Sequence, residues 1–244
     1  MSKGRCIVSC CFSEHKGERK NYYKKFSDRL RGSLDEFCSK DTSKMFWENS
    51  WPPESPSHSQ MHYAFKWYAM NAARNAGYRY VMWLDAGSCA KAPIEPFWKF
   101  IETNGHLIMA GSVPLGHWIS DKALEYFEVD REFAMGLRLP AGCIVGLDFE
   151  HPTAIKFFQW WEELVKDTNL LMCSHTKAAE EAGVLKSILV RDGNESEIIS
   201  TDPRVMGHRS DEACFSLIMN KLGMQFMDYG EWRNYMYTYE IRDN

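Results

Sequence analysis

Long apolar runs are missing from this chain, and none approaches the roughly 20 residues that a membrane-spanning helix requires, so no integral membrane segment is expected. Its eight cysteines form no C-x-x-C pair, which removes the spacing signature of zinc ribbons and thioredoxin-like redox sites. Charge of one sign is not concentrated either. The formal net charge of −4 is spread without long blocks and leaves no basic footprint for nucleic acid, so small or neutral ligands are the expectation. Glycine is absent from Ser9-Cys10-Cys11-Phe12-Ser13-Glu14-His15, where a Gly-rich phosphate loop would follow a first strand. The first residues are basic, but the apolar run after them is short and reads as a strand rather than a secretory signal. Cytoplasmic residence is the default expectation.

The chain has 244 residues, of which 45% are hydrophobic and 25% charged, which suits one globular α/β domain with a sizeable core. Several of the cysteines fall in expected strands and helices, and they read as reduced, mostly buried thiols. Cys173 and His175 lie close together, yet no second ligand pair follows them. Asn194-Glu195-Ser196 has the form of a glycosylation acceptor and, without a secretory signal, reads as an exposed polar turn.

The informative stretch is 78–89, where Tyr80-Val81-Met82-Trp83-Leu84 forms a near-continuous apolar run that ends at Asp85 and the small residues Ala86, Gly87 and Ser88. A strand buried on both faces has this composition, and α/β sheets bind ligands beyond the carboxyl ends of such strands. Asp85 would stand there. Its carboxylate can coordinate a hard divalent cation or accept hydrogen bonds from a ribose, while Ala86 and Gly87 let a sugar or phosphate approach the backbone. The alternative is an aspartate that only turns the chain.

The elements around this stretch follow from periodicity. A first strand is expected over 6–12, and a surface helix over 19–34 from Tyr22, Tyr23, Phe26, Leu30 and Leu34. The segment 45–60, with Trp47, Trp51, Pro52, Pro53 and Pro56, reads as a long irregular loop whose tryptophans either stack on a ring or pack on the rim. A helix over 61–76 stops at Gly77, and it carries Lys66, a point charge suited to a pyrophosphate or else a solvated helix-face lysine. Further helices are expected from 92 to 103, from 121 to 127 and from 152 to 167, with strands at 106–110 and 140–148 and a loop over 111–118. Gly142 lies in the second of these strands, where a ligand or another backbone approaches closely. Beyond it, 176–183 reads as a helix, 188–190 as a short strand and 191–203 as a polar loop.

The second informative stretch is His208-Arg209-Ser210-Asp211-Glu212, which opens a helix ending at Gly223. Ser210 is the expected N-cap, and Asp211 and Glu212 lie in the first turn, where the helix dipole favours anions. A last short strand over 224–227 and an aromatic tail over 229–239 that docks on the domain complete the reading.

Taken in this order, Leu84-Asp85-Ala86-Gly87-Ser88, Ala141-Gly142-Cys143-Ile144-Val145-Gly146 and His208-Arg209-Ser210-Asp211-Glu212 give the chain a resemblance to the GT-A type glycosyltransferases. The resemblance covers most of the sequence. It implies a single Rossmann-like α/β domain with a mixed, mainly parallel sheet flanked by helices, 1–110 forming a nucleotide-binding half and 111–244 an acceptor and catalytic half. It also implies transfer of a sugar, hexosyl or pentosyl, from a nucleotide-diphosphate donor to a hydroxyl acceptor such as a glycan. In that family the strand ends in Asp-x-Asp, which holds Mn or Mg against the diphosphate. Here Gly87 stands at the third position. The resemblance therefore implies either a weakly held ion on Asp85, Ser88 and His208, or neutralisation of the diphosphate by Lys66 and Arg209. Asp211 or Glu212 would be the general base, and Lys66, Asp85, Ala86, Gly87, Ser88, Gly142 and Arg209 would bind the donor. Asp148 is a weaker candidate for stabilising an oxocarbenium-like transition state. Small enzymes of this look occur in bacterial surface-polysaccharide systems and in large DNA viruses, where the compartment would be the host cytoplasm.

Three other readings compete. A nucleotide-sugar pyrophosphorylase lacks its Gly-rich loop here, and a metal-dependent hydrolase lacks a tight His and carboxylate cluster. A nucleotide- or carbohydrate-binding module of the same fold, without catalysis, is made credible by the missing second aspartate.

Overall fold

The structure is a computed structural model that describes residues 3–12, 18–172, 174–175 and 199–238. In chain order the first half runs β1 Lys3–Cys10, α1 Glu18–Phe37, β2 Ser43–Trp47, α2 Ala64–Asn75, β3 Tyr78–Leu84, β4 Ser88–Ala90, α3 Glu95–Asn104 and β5 His106–Pro114. Next come α4 Asp121–Tyr126, α5 Arg131–Met135, β6 Arg138–Asp148, α6 Pro152–Leu164, α7 Thr168–Leu171 and β7 Ser174–His175. The chain closes with β8 Gly207–His208, α8 Ser210–Leu222, α9 Tyr229–Trp232 and β9 Met236–Thr238.

The main sheet has the order β2-β1-β3-β6-β5. β1 pairs in parallel with β2 and β3, whereas β6 is antiparallel to both β3 and β5, so all its strands but β6 run one way. This is the expected mixed, mainly parallel sheet flanked by helices. Strands from 1–110 and 111–244 share it, because β6 lies between β3 and β5.

Successive side chains of a strand point to opposite faces, and the apolar runs supply both. Ile7, Met82 and Leu84 pack with Leu30 and Leu34 of α1 and with Phe97, Trp98 and Ile101 of α3. Cys6, Val8, Val81 and Trp83 pack on the other face with Ala69, Met70 and Ala73 of α2, Phe157 and Trp161 of α6, and Phe215 and Ile218 of α8. Asp85 follows Trp83 by two residues and so belongs to the face covered by α2 and α8. Gly77, after the last turn of α2, has φ +92°, a left-handed conformation that glycine adopts without the Cβ clash of other residues.

Several boundaries differ from expectation for identifiable reasons. Met45, Phe46 and Trp47 belong to the edge strand β2, because pairing with β1 overrides the turn-forming composition that begins at Glu48. β5 runs on through Gly111 to Pro114, as pairing resumes at Arg138 after a register shift, and Leu115–His117 form a short 3-10 turn. The segment 224–227 makes only an isolated bridge, Met227 to Met109. Tyr23 is exposed although Phe26, Leu30 and Leu34 of the same helix are buried. The tail docks as expected, β9 pairing with β4 and burying Trp232 and Met236. Cys173, the helix over 176–183, the strand over 188–190, the glycosylation motif and the part of the polar loop before residue 199 lie outside the described residues.

Among the described residues the cysteines are free thiols, most of them buried, with Cys38 and Cys143 half-buried. No described helix is long and apolar enough to cross a membrane.

Candidate active site

At the carboxyl end of β3 five charged side chains from three parts of the chain meet around Gly142 of β6. Lys66, on the first turn of α2, is 3% exposed, and its Nζ donates to Asp211 Oδ2 at 2.9 Å and to the Gly142 carbonyl at 3.0 Å. Asp85 Oδ1 lies 3.9 Å from the same ammonium and accepts from the Trp83 indole at 2.7 Å. The Gly142 N–H donates to Glu212 Oε1 at 2.9 Å, and Arg209 Nε pairs with Glu212 Oε2 at 2.9 Å. One peptide unit apart, β6 therefore binds the cation with a carbonyl and the carboxylate with an amide.

Local sequence explains half of this arrangement. Asp211 and Glu212 sit in the first turn of α8, where the dipole favours negative charge. Lys66 sits in the first turn of α2, which contains no acidic residue, and there the dipole disfavours a cation. Its charge is offset by Asp211 of α8 and by Asp85 beyond β3. Gly142 permits the approach: a Cβ there would stand 2.9 Å from Glu212 Cγ and 3.2 Å from Lys66 Nζ. The register shift of β6 against β5 between Val145 and Ala141 re-aims this part of the strand. Backbone strain frames the pair as well, with Tyr63 at φ +59° and Ser210 at φ +45°.

Burial resists charge on Lys66, but Asp211 and Asp85 outweigh it and hold the ammonium above the usual lysine range. Burial pushes the Asp211 and Glu212 carboxyls above the usual carboxylate range, against the pull of Lys66 on the first and of Arg209 on the second. Asp211 is 1% exposed and holds Lys66 through Oδ2. The side chains of Asp85 and Glu212 remain 16% and 17% exposed, so they are the carboxylates of the cluster that a ligand can reach. Arg209, 40% exposed, also lies over the Trp118 ring.

The other expected residues are placed differently. Ala86 is buried against Cys11 and Phe26, the buried Gly87 accepts from Arg29 through its carbonyl, and Ser88 is buried with its N–H on the Asp85 carbonyl. Of this stretch only Asp85 opens to solvent. Ser210 does not cap α8: it is the first helical residue, and its hydroxyl donates to the carbonyls of Leu171 and His62. His208 is buried, with Nδ1 accepting from the Ser120 N–H and Nε2 donating to the Leu170 carbonyl, and burial lowers it to about 4. Asp148, at the opposite end of the sheet from Asp85, is held by two hydrogen bonds from Arg79. Lys66 is not a solvated helix-face lysine.

A Mn or Mg ion does not fit the residues foreseen for it. His208 has no ring lone pair to give, Gly87 carries no donor side chain, and Asp85 Oδ1 already faces the Trp83 indole and Lys66. Among the described residues no three His, Cys, Asp or Glu side chains form a group able to hold a metal.

Sequence reasoning missed Trp83, Tyr63 and Trp118. Trp83 was legible, since residues two apart on a strand share a face. Tyr63, whose ring lies 4.8 Å from Lys66 Nζ, and Trp118 carry no such signal.

Fold and site together describe a mixed α/β domain with an ionic cluster beyond its central strand. No protein-family model and no curated protein matches the sequence. Among solved structures the chain is similar to a glycosyltransferase involved in the glycosylation of the major capsid of PBCV-1, at 14% identity over 66% of this chain and 65% of that one, with a TM-score of 0.38. It is similar to the bifunctional glycosyltransferase WbbM in its apo form, at 11% identity over 65% and 34%, TM-score 0.39, and to apo mouse xyloside xylosyltransferase 1, at 9% identity over 92% and 84%, TM-score 0.46. The chain thus spans less than two thirds of the first two. These likenesses concern the chain trace, and the chemistry below is argued from this chain's own side chains.

Proposed function

We propose that this chain is a glycosyltransferase that moves a sugar, hexosyl or pentosyl, from a nucleotide-diphosphate donor to a hydroxyl of a glycan or similar acceptor. The observation that carries the reading is the cluster itself, in which two reachable carboxylates and an exposed arginine converge on one site from distant parts of the sequence. Lys66 and Asp85 come from 1–110, the proposed nucleotide-binding half. Gly142, Arg209, Asp211 and Glu212 come from 111–244, the proposed acceptor half.

In this reading Glu212 is the general base. A base works best with a pKa near the working pH, and burial moves Glu212 in that direction. The acceptor hydroxyl gives its proton to Glu212 as its oxygen bonds to the anomeric carbon. The bond from that carbon to the diphosphate breaks, with inversion, and the leaving oxygen carries away the electron pair. Arg209 stabilises that developing charge, as a preorganised cation does best in a partly dry site. Asp85 accepts hydrogen bonds from the donor, while Ala86, Gly87 and Ser88 shape the turn that presents it. Asp211 positions Lys66 and does not touch substrate.

Calorimetric titration with UDP, GDP, CMP and dTDP, followed by hydrolysis assays on the matching nucleotide sugars, tests the proposal. Selective binding of one nucleotide and slow donor hydrolysis, lost in Glu212→Gln, are the expected results. Absence of binding to all four would overturn it, and binding without any turnover would point to a non-catalytic module.

A further inference from the structure

We propose that Lys66 is the resident cation of this site: its ammonium occupies an oxygen cage formed by Asp85, Asp211 and the Gly142 carbonyl, and the donor binds without a divalent metal. The inference rests on the glycosyl-transfer reading for the identity of the ligand, but not for the cage.

The cage is defined by three oxygens around Nζ: Asp211 Oδ2 at 2.9 Å, the Gly142 carbonyl at 3.0 Å and Asp85 Oδ1 at 3.9 Å. Two carboxylates and a carbonyl are the hard donors that a divalent ion selects. Here a covalently tethered positive charge already sits among them. Two of its three N–H donors are committed to Asp211 and Gly142, and the Tyr63 ring lies 4.8 Å away on the aromatic side. A metal on Asp85 would stand beside an ammonium that it repels and would lose Asp211 as a second ligand. The residue positions support the same conclusion. Gly87 and His208 supply no replacement ligand, because glycine has no donor side chain and His208 is engaged at both nitrogens.

A lysine in the first turn of a helix is locally unfavourable, and a fully buried one is more so. Such an arrangement persists when the surroundings require the charge. Asp85 and Asp211 require it, since without Lys66 two carboxylates would share a nearly dry space. Lys66 is therefore a positioning residue that fixes the charge and orientation of Asp85 before any donor arrives.

The test is Mn(II) titration followed by electron paramagnetic resonance of free Mn, with the ion alone and with UDP, GDP, CMP or dTDP, each against protein-free controls. Wild-type protein is expected to leave the free-ion signal unchanged at submillimolar Mn in every arm. Lys66→Ala, which empties the cage, is expected to gain Mn affinity by about tenfold or more, and Lys66→Ala/Asp85→Asn to lose that gain. Saturable binding by wild type, alone or with a nucleotide, that Asp85→Asn abolishes would overturn the proposal. A folded Lys66→Ala protein without any gain would overturn it too. Should Lys66→Ala fail to fold, the wild-type and Asp85→Asn arms still decide. Failure of all nucleotides to bind would defeat the transferase reading, whereas the Mn-alone arm judges the cage independently.

Discussion

Replacing Asp211 by alanine leaves the Lys66 ammonium buried without its nearest anion. Both side chains are almost fully shielded, and Nζ keeps the Gly142 carbonyl at 3.0 Å, Asp85 at 3.9 Å and the Tyr63 ring at 4.8 Å. Breaking a buried ion pair by removing one partner costs about 3–5 kcal/mol. Asp85 offsets part of the loss, which places the expected cost near the lower end, about 3 kcal/mol. For a domain of this size 1 kcal/mol shifts the melting temperature by about 2–4 °C, so a drop of roughly 6–12 °C is expected. Urea unfolding followed by tryptophan fluorescence measures the free energy directly. Because removing both charges leaves nothing uncompensated between this pair, Lys66→Met/Asp211→Ala should cost clearly less than the two single changes added together, with a coupling of about 2 kcal/mol or more. A single-variant cost under about 1 kcal/mol, or an additive cycle, would refute the account of Asp211 as the counter-ion of Lys66.

Glu212→Gln should lower turnover by about 10²–10⁴ while leaving nucleotide affinity within about threefold, as steady-state rates and calorimetry together would show. Gly142→Ala crowds Glu212 Cγ and Lys66 Nζ; it should cost about 1–3 kcal/mol and lower kcat more than it raises KM, checked by unfolding and kinetics. His208 gives a pH signature. Its ordinary value is 6.5 and burial holds it at about 4, so between these the unfolded chain takes up a proton that the folded chain refuses. Stability should fall by roughly 3 kcal/mol as pH drops from 6.5 to about 4, and His208→Gln should flatten that slope relative to wild type. The opposite slope from the raised Asp211 and Glu212 carboxyls is common to both proteins and cancels in the comparison. An unchanged slope would mean that His208 is not the buried neutral base described here.

The sequence by itself determined the elements of the sheet, because a buried strand needs apolar side chains on both faces and the run from Tyr80 to Leu84 has them. It also determined where α2 and α8 end, since Gly77 and Gly223 adopt left-handed backbone angles. Lys66 and Asp85 were legible as candidates from residue type and position, whereas Arg209, Asp211 and Glu212 became candidates through the family resemblance. Their division of labour was not legible. That Asp211 is sealed against Lys66 while Glu212 stays reachable depends on which side of α8 meets α2, and Asp211 and Glu212 are equivalent in a first-turn pattern. His208 and Ser210 read as a metal ligand and a helix cap, but α7 supplies carbonyls that claim both side chains. Only tertiary packing brings those partners together. β2 was hidden for the same reason, because an edge strand takes its conformation from the neighbour it pairs with. Hydrogen bonds and ion pairs between residues 145 positions apart, such as Lys66 and Asp211, leave no periodic trace along the chain.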